Sequence, residues 1–166
     1  KARDAMTRQY VLRFNESLRG LAVGAPVTYL GVQIGEVVDI GFDFEAERPN
    51  IAPRVTITFY PERLLVFADA GQQAKVEQTL KSDDRRRNAF LQRLVDDRGL
   101  RAQLRTGSLL TGQLYVAFDY FPKAPRARMV LNGKLPELPV VASGLVDLEA
   151  KLASILDKID KLPLDQ

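Results

Sequence analysis

Apolar and polar residues alternate in short runs through the first third of the chain, and glycines break those runs at close intervals. From Gln9 to Phe14, Tyr10, Leu12 and Phe14 alternate with Val11 and Arg13, which predicts a first strand. Between Phe14 and Ile40 the chain places Gly20, Gly24, Gly31 and Gly35, with Pro26 among them. Glycines so spaced mark sharp turns or positions where another segment packs closely against the backbone. The runs between them, Val27-Thr28-Tyr29, Gly31-Val32 and Glu36 to Ile40, have the composition of short strands. Glu45 to Pro53 holds two prolines and an asparagine and predicts a loop. Val55, Ile57 and Phe59 then alternate with Thr56, Thr58 and Tyr60, and Pro61 ends that strand. The pattern is that of a small, tightly turned β-barrel.

The rhythm breaks after residue 61. Gln72 to Asn88 is polar and densely charged, consistent with an inserted helix or a mobile loop. Phe90, Leu91, Leu94 and Val95 fall on one face of a helix, and Gly99 stands where a left-handed stop is expected. Strand signals resume at Leu100–Leu104 and Leu114–Phe118, separated by Thr106-Gly107-Ser108-Leu109-Leu110-Thr111-Gly112-Gln113. Met129 to Leu131, with the turn signal Asn132-Gly133, is expected to close the barrel.

Beyond Pro139 the period changes from two to three-and-four. Ser143 is a candidate N-cap. Leu145, Leu148, Leu152, Ile155, Ile159 and Leu162 follow at the a and d spacing of a heptad, and Leu156 widens the stripe. Asp147 with Lys151 and Asp157 with Lys161 are i,i+4 pairs in the favourable orientation, and Pro163 ends or kinks the helix. The stripe serves either association with other helices or packing on the barrel.

Composition narrows the chemistry. The 166 residues suffice for one domain with an appendage. Histidine and cysteine are both absent, which removes the commonest general base, the commonest metal ligand and any disulfide or thiolate site. Ser17, Ser82, Ser108, Ser143 and Ser154 therefore lack a histidine partner, and none sits in a Ser-x-x-Lys arrangement. No enzyme is expected, and no cofactor. The net charge of +3 suits an acidic surface without demanding one. No apolar run approaches the roughly 20 residues needed to cross a bilayer. The chain begins at Lys1 and reads as a piece of a longer protein.

Two motifs in order carry a family resemblance. Gly20-Leu21, Gly24, Pro26-Val27, Gly31-Val32, Gly35 and Val37 resemble the N-terminal half of a mammalian cell entry (MCE) domain, and Leu104 to Phe118, LRTGSLLTGQLYVAF, is similar to that family's second signature. The polar insertion and the helix after Leu138 look like the last MCE domain of the paraquat-inducible protein B group, leading into a coiled-coil needle. The resemblance implies a mainly β fold: a seven-stranded MCE β-barrel with a helical insertion and a C-terminal coiled-coil helix. The implied division is a flexible segment at 1–8, a barrel at 9–138 with the insertion at about 66–98, and a coiled-coil start at 140–166. It implies a homohexamer in the periplasm that moves phospholipid between inner and outer membranes. Neighbouring MCE domains and an inner-membrane protein would be its partners, and an N-terminal anchor outside this sequence would hold it. It also implies a pore lined by an apolar loop, which matches Leu109 and Leu110. The helix stripe could continue that path.

Each site has a plainer reading. Leu109 and Leu110 could fold back onto their own barrel, although loops run over surfaces. Arg85, Arg86, Arg87, Arg93, Arg98, Arg101 and Arg105 could form a nucleic-acid-binding face of a small barrel, but Asp83, Asp84, Asp96 and Asp97 interleave with them. Asp43, Glu45 and Glu47 could share a strand face as a weak cation site, or be a solvated strand end. A structural tether between envelope membranes, without transport, is the main alternative function.

Overall fold

A computed structural model describes residues 8–66, 69–80 and 83–162. The strands are β1 (Arg8–Leu12), β2 (Pro26–Tyr29), β3 (Val32–Glu45), β4 (Asn50–Phe59), β5 (Leu100–Ser108), β6 (Gln113–Tyr120) and β7 (Glu137–Leu138). They form one seven-stranded mixed sheet in the order β5-β6-β2-β3-β4-β1-β7. Neighbours are antiparallel except β2–β6 and β1–β7. The sheet curls until its edges meet. Just past β7, Val140 bridges Ala102 of β5 in parallel, with Ala102 N–H donating to Pro139 O (3.1 Å) and Val141 N–H to Ala102 O (2.9 Å). The mainly β barrel predicted from the alternation is the fold observed.

Three one-residue register shifts help the curl, since each bulge bends and twists its strand. They fall between Val27 and Thr28, Val37 and Asp39, and Thr106 and Ser108. Inside the sheet, Leu12, Val27, Val37, Val55, Ile57, Leu104 and Val116 are almost fully buried. Each contributes about 1.5–3 kcal/mol relative to exposure. Two glycines make the close contacts possible. A Cβ on Gly35 would overlap the Thr58 carbonyl oxygen across the β3–β4 ladder. Gly20 combines a φ of +96° with a position where a Cβ would overlap the Gly112 carbonyl oxygen. Gly24 and Gly31 also have positive φ but open space around them, and Pro26 opens β2 from an exposed position. Leu30 and Gly31, both with positive φ, form the two-residue turn between β2 and β3.

The predicted loop at Glu45–Pro53 is shorter than expected. β3 runs on to Glu45 and β4 starts at Asn50, so only 46–49 turn. Pro53 is tolerated inside β4 because β1 pairs only with Val55 and beyond. At Pro53 the strand is an edge whose outward side needs no N–H. The result is a two-stranded ribbon that extends past the barrel. The predicted closing strand at Met129–Leu131 is likewise reduced, to a single antiparallel bridge between Val130 and Glu137. The next pair would face Pro136, which has no N–H to donate, so the ladder stops. Closure falls instead to residues 137–141.

The insertion is helical in its described parts: α1 (Pro61–Val66), α2 (Ala70–Leu80) and α3 (Asp84–Arg93). Asp83 caps α3, accepting from Arg86 N–H at 2.9 Å. A π-type turn, Leu94–Arg98, follows and ends at Gly99 in the left-handed conformation (φ 77°, ψ 37°), as the sequence predicts. Val95 is buried, and Leu91 and Leu94 pack against the barrel core. Residues 144–160 form α4, which begins after the closing segment.

Candidate functional site

The β5–β6 hairpin ends in a turn built from small hydroxyl side chains and glycine. Gly112 N–H donates to Ser108 O (2.9 Å), Thr111 N–H to Ser108 Oγ (3.3 Å) and Gln113 N–H to Thr111 Oγ1 (3.4 Å). Leu114 N–H donates to Gly20 O (2.8 Å), so the Gly20 turn grips the hairpin near its tip. With the backbone held in this way, the two leucines project outward. Leu109 is 94% exposed and Leu110 is 96% exposed, more than any other large apolar residue described. Neither folds back on the barrel. Leaving each in water forgoes about 1.5–3 kcal/mol that burial would supply.

Two further apolar elements share that end of the barrel. β3 runs antiparallel to β2, and β2 runs parallel to β6, so the β3–β4 ribbon projects toward the hairpin tip. Its inward face continues past the core: Ile40 faces Val55, then Phe42 faces Pro53 and Phe44 faces Ile51. Phe42, Phe44 and Ile51 are 67%, 71% and 64% exposed. The turn residues at 45–53 predict a strand end and loop here, while the alternation of Phe42 and Phe44 with Asp43 and Glu45 is the local signal of the longer strand. The chain through 139–141 runs parallel to β5, so it is heading the same way when α4 begins. Gln103 Nε2 donates to Ala142 O (2.8 Å) and Ser143 N–H to Glu16 Oε2 (3.0 Å), which fixes that departure.

On α4, Leu152, Ile155, Leu156 and Ile159 are half or more exposed, and Leu162 lies just past the helix end in the same state. In this described part the stripe does not pack on the barrel. The side chains of Leu145 and Leu148, and of Asp147 in its predicted pair, lie outside the described residues. The Asp157–Lys161 pair is present at 3.1 Å.

A charged network ties the ribbon to the barrel. Arg13 Nε donates to Glu137 Oε1 (2.8 Å), and both Arg13 and Arg54 donate to the Asp43 carboxylate. Hydrogen bonding from Arg13, reinforced by the charges of Arg13 and Arg54, holds Asp43 below the usual carboxylate range. Asp43 is thus engaged by arginines, and among the described residues no cluster of acids could hold a metal ion. The arginine run is also partly internal. Arg87 is buried and paired with Asp84, Arg101 is buried and donates to Leu100 O and Pro125 O, and Arg105 pairs with Asp119 (3.1 Å). Among the described helices none is long and apolar enough to cross a membrane.

A family model described as MlaD protein matches residues 6–121, a span that holds both sequence signatures and the whole β5–β6 hairpin. The chain belongs to the MlaD family. α4 lies beyond the matched residues, so the membership rests on the barrel and its insertion. A solved structure described as the Acinetobacter MlaFEDB complex in ATP-bound Vtrans1 conformation is similar at 18% identity, over 88% of this chain and 81% of that one, with a TM-score of 0.40. Likeness at that level says nothing of partners or activity.

Proposed function

We propose that this MlaD-family chain is a lipid-transport MCE protein. In this reading it is a subunit of a homohexameric periplasmic ring, anchored at the inner membrane, whose Leu109–Leu110 loops line an apolar conduit for phospholipid. The observation that carries the reading is the near-complete exposure of two adjacent leucines on a well-held turn. A ring of such loops presents an acyl chain with a contact surface that has no polar groups to desolvate. No chemistry on the lipid is required; passive apolar contact replaces catalysis.

The C-terminal stripe, Leu145, Leu148, Leu152, Ile155, Ile159 and Leu162, then assembles with its copies into a coiled coil that extends the path toward the outer membrane. Its exposed described half supports association over packing on the barrel, as in the paraquat-inducible protein B group.

The test is the double substitution Leu109→Asn/Leu110→Asn combined with lipid photocrosslinking in the loop. The expected outcome is a folded domain with the same oligomeric state and no crosslinked phospholipid. Wild-type crosslinking by the double variant would reject the loop as the lipid surface. Native mass spectrometry with lipid extraction separates transport from the tether alternative, which predicts a ring free of phospholipid.

A further inference from the structure

The β5–β6 hairpin has a second end, away from the double-leucine turn, and a basic segment crosses it. β6 ends there at Tyr120, and residues 121–136 lead on to β7. β7 runs parallel to β1, and β1 antiparallel to β4, so the turn that enters β7 stands at the same end as Tyr120. The segment is held from within. Phe121 N–H donates to Gly99 O (2.7 Å), Arg101 to Pro125 O (2.9 Å), Met129 N–H to Gln92 Oε1 (3.0 Å) and Val11 N–H to Pro136 O (2.9 Å). Arg126, Arg128 and Val130 are exposed, while Ala127 is half-buried and Met129 is buried. That period of two puts Arg126, Arg128 and Val130 on one outward side. Leu131, 57% exposed, then opens a turn that stays exposed through Lys134.

The charge on this segment is of one sign. Between Phe121 and Pro136 stand Lys123, Arg126, Arg128 and Lys134, all exposed, and no acid. These four cations outnumber the net charge of +3, so the basic balance of the whole chain resides here. The acids that border the segment are engaged by other groups. Glu137 accepts from Arg13 (2.8 Å), and Asp84, which shares a polar cleft with Lys134, is bonded by Arg87. Asp119 pairs with Arg105 (3.1 Å), and Asp96 accepts from Gln92 (2.9 Å) and faces the buried Arg101. Among the described residues, the side chains of the four cations make no ion pair or hydrogen bond.

We propose that residues 121–136 form a docking surface for an anionic lipid bilayer. The four cations lie on phospholipid headgroups, and Leu131 with Val130 enters the boundary between headgroups and acyl chains. Aliphatic side chains flanked by Arg128 and Lys134 are the combination that binds such an interface, where apolar burial adds to charge attraction. A nucleic acid would call for stacking platforms, and the one aromatic residue of the segment, Phe121, is half-buried. The surface lies at the opposite end from Leu109 and Leu110 and does not require a ring. Docked in this way, the chain points its double-leucine tip away from the bilayer.

Flotation of the full chain with vesicles tests the proposal, using phosphatidylcholine alone and phosphatidylcholine containing one part in three of phosphatidylglycerol. The anionic vesicles bind at least about thirtyfold more tightly, from about fivefold for each basic residue at such a surface, and added salt weakens that binding. Arg126→Gln/Arg128→Gln, at exposed positions, lowers affinity for the anionic vesicles by about thirtyfold. The chain has no tryptophan, so Leu131→Trp and Leu109→Trp each report on one end. Leu131→Trp emission shifts to the blue on anionic vesicles, and Leu109→Trp emission does not. Equal affinity for the two vesicles, or unchanged affinity in the double arginine variant, overturns the proposal. A blue shift from Leu109→Trp without one from Leu131→Trp also overturns it, placing the membrane contact on the leucine tip and leaving the loop reading intact. Binding of a single-stranded oligonucleotide at least as tight as that of the anionic vesicles overturns it too, by assigning the cations to a soluble polyanion.

Discussion

The two ends of the β5–β6 hairpin are both apolar, yet the protein treats them oppositely. At the Leu100–Tyr120 end an insertion of helices roofs the barrel and packs Leu91, Leu94 and Val95 against it. At the other end Leu109 and Leu110 stand in water, beside a ribbon whose apolar face is also uncovered. Between them the core-facing residues of the hairpin, Ala102, Leu104 and Val116, are buried. Among the described residues, helices cover one end of the barrel and leave the other open. Among the described residues nothing packs on Leu109 and Leu110.

The widest gap in that comparison is energetic. Leu104→Ala, in the middle of the hairpin, should cost about 2–5 kcal/mol in urea unfolding. Leu109→Ala and Leu110→Ala, on the same hairpin in dilute monomeric protein, should change stability by no more than about 0.5 kcal/mol. A loss above about 1 kcal/mol from either tip variant would mean that the loop packs back on its own barrel.

The next effect concerns how each end is turned. Gly20 holds the tip end through Leu114 N–H, and a side chain there meets both an unfavourable φ and the Gly112 carbonyl. Gly31, in the turn at the roofed end, has a similar φ of +89° but open space around it. Gly20→Ala should cost on the order of 1–3 kcal/mol from backbone strain with the overlap added, and Gly31→Ala about 1 kcal/mol. Equal costs would show that the grip on the tip is not structural.

These elements differ in how far the sequence discloses them, and the reason is the range of the interaction. Strand alternation at 9–14 and 55–60 and the heptad stripe at 145–162 are local periodicities, so the barrel and the helix were legible. The turn glycines were legible as breakers, but which carbonyl each approaches depends on a partner strand far along the chain. The ribbon is not legible because Pro49 and Pro53 carry loop signals, and only the pairing with β1 reveals that Pro53 sits on an edge. Leu91 and Leu94 announce a helix face without saying which end of the barrel it covers. Which end is roofed is for that reason not legible in the sequence. The double leucine is legible as an anomaly, two adjacent apolar residues in a polar turn.

A smaller effect tests the roofed end alone. Tyr29→Phe removes the hydroxyl contact with Tyr120 and keeps both rings, which meet edge to face at 6.0 Å. The expected loss is about 0.5–1.5 kcal/mol. The Leu109 and Leu110 side chains should remain as accessible to solvent as before, read by hydrogen exchange and methyl relaxation. A change at the tip would mean that the two ends are coupled through the hairpin.

The smallest effects separate the ends by pH, with opposite signs. At the tip end, Asp43 has a folded pKa below its unfolded value of about 3.9. Its contribution is therefore complete above that value and is lost as pH falls through the folded pKa, when the carboxylate bonded by Arg13 and Arg54 is protonated. These side chains are each about a third exposed, so the loss should be near the ~0.2–1 kcal/mol of surface ion pairs. At the roofed end, Tyr120 has a folded pKa raised above its unfolded value of about 10, mainly by burial. Its contribution is complete below pH 10 or so and is lost as pH rises toward the folded pKa, because only the unfolded chain ionises easily. Urea unfolding across both limbs should show the acid loss abolished in Asp43→Asn and the alkaline loss reduced in Tyr120→Phe. If one substitution flattens both limbs, the two ends do not titrate independently, and the separation between the open and the roofed end fails.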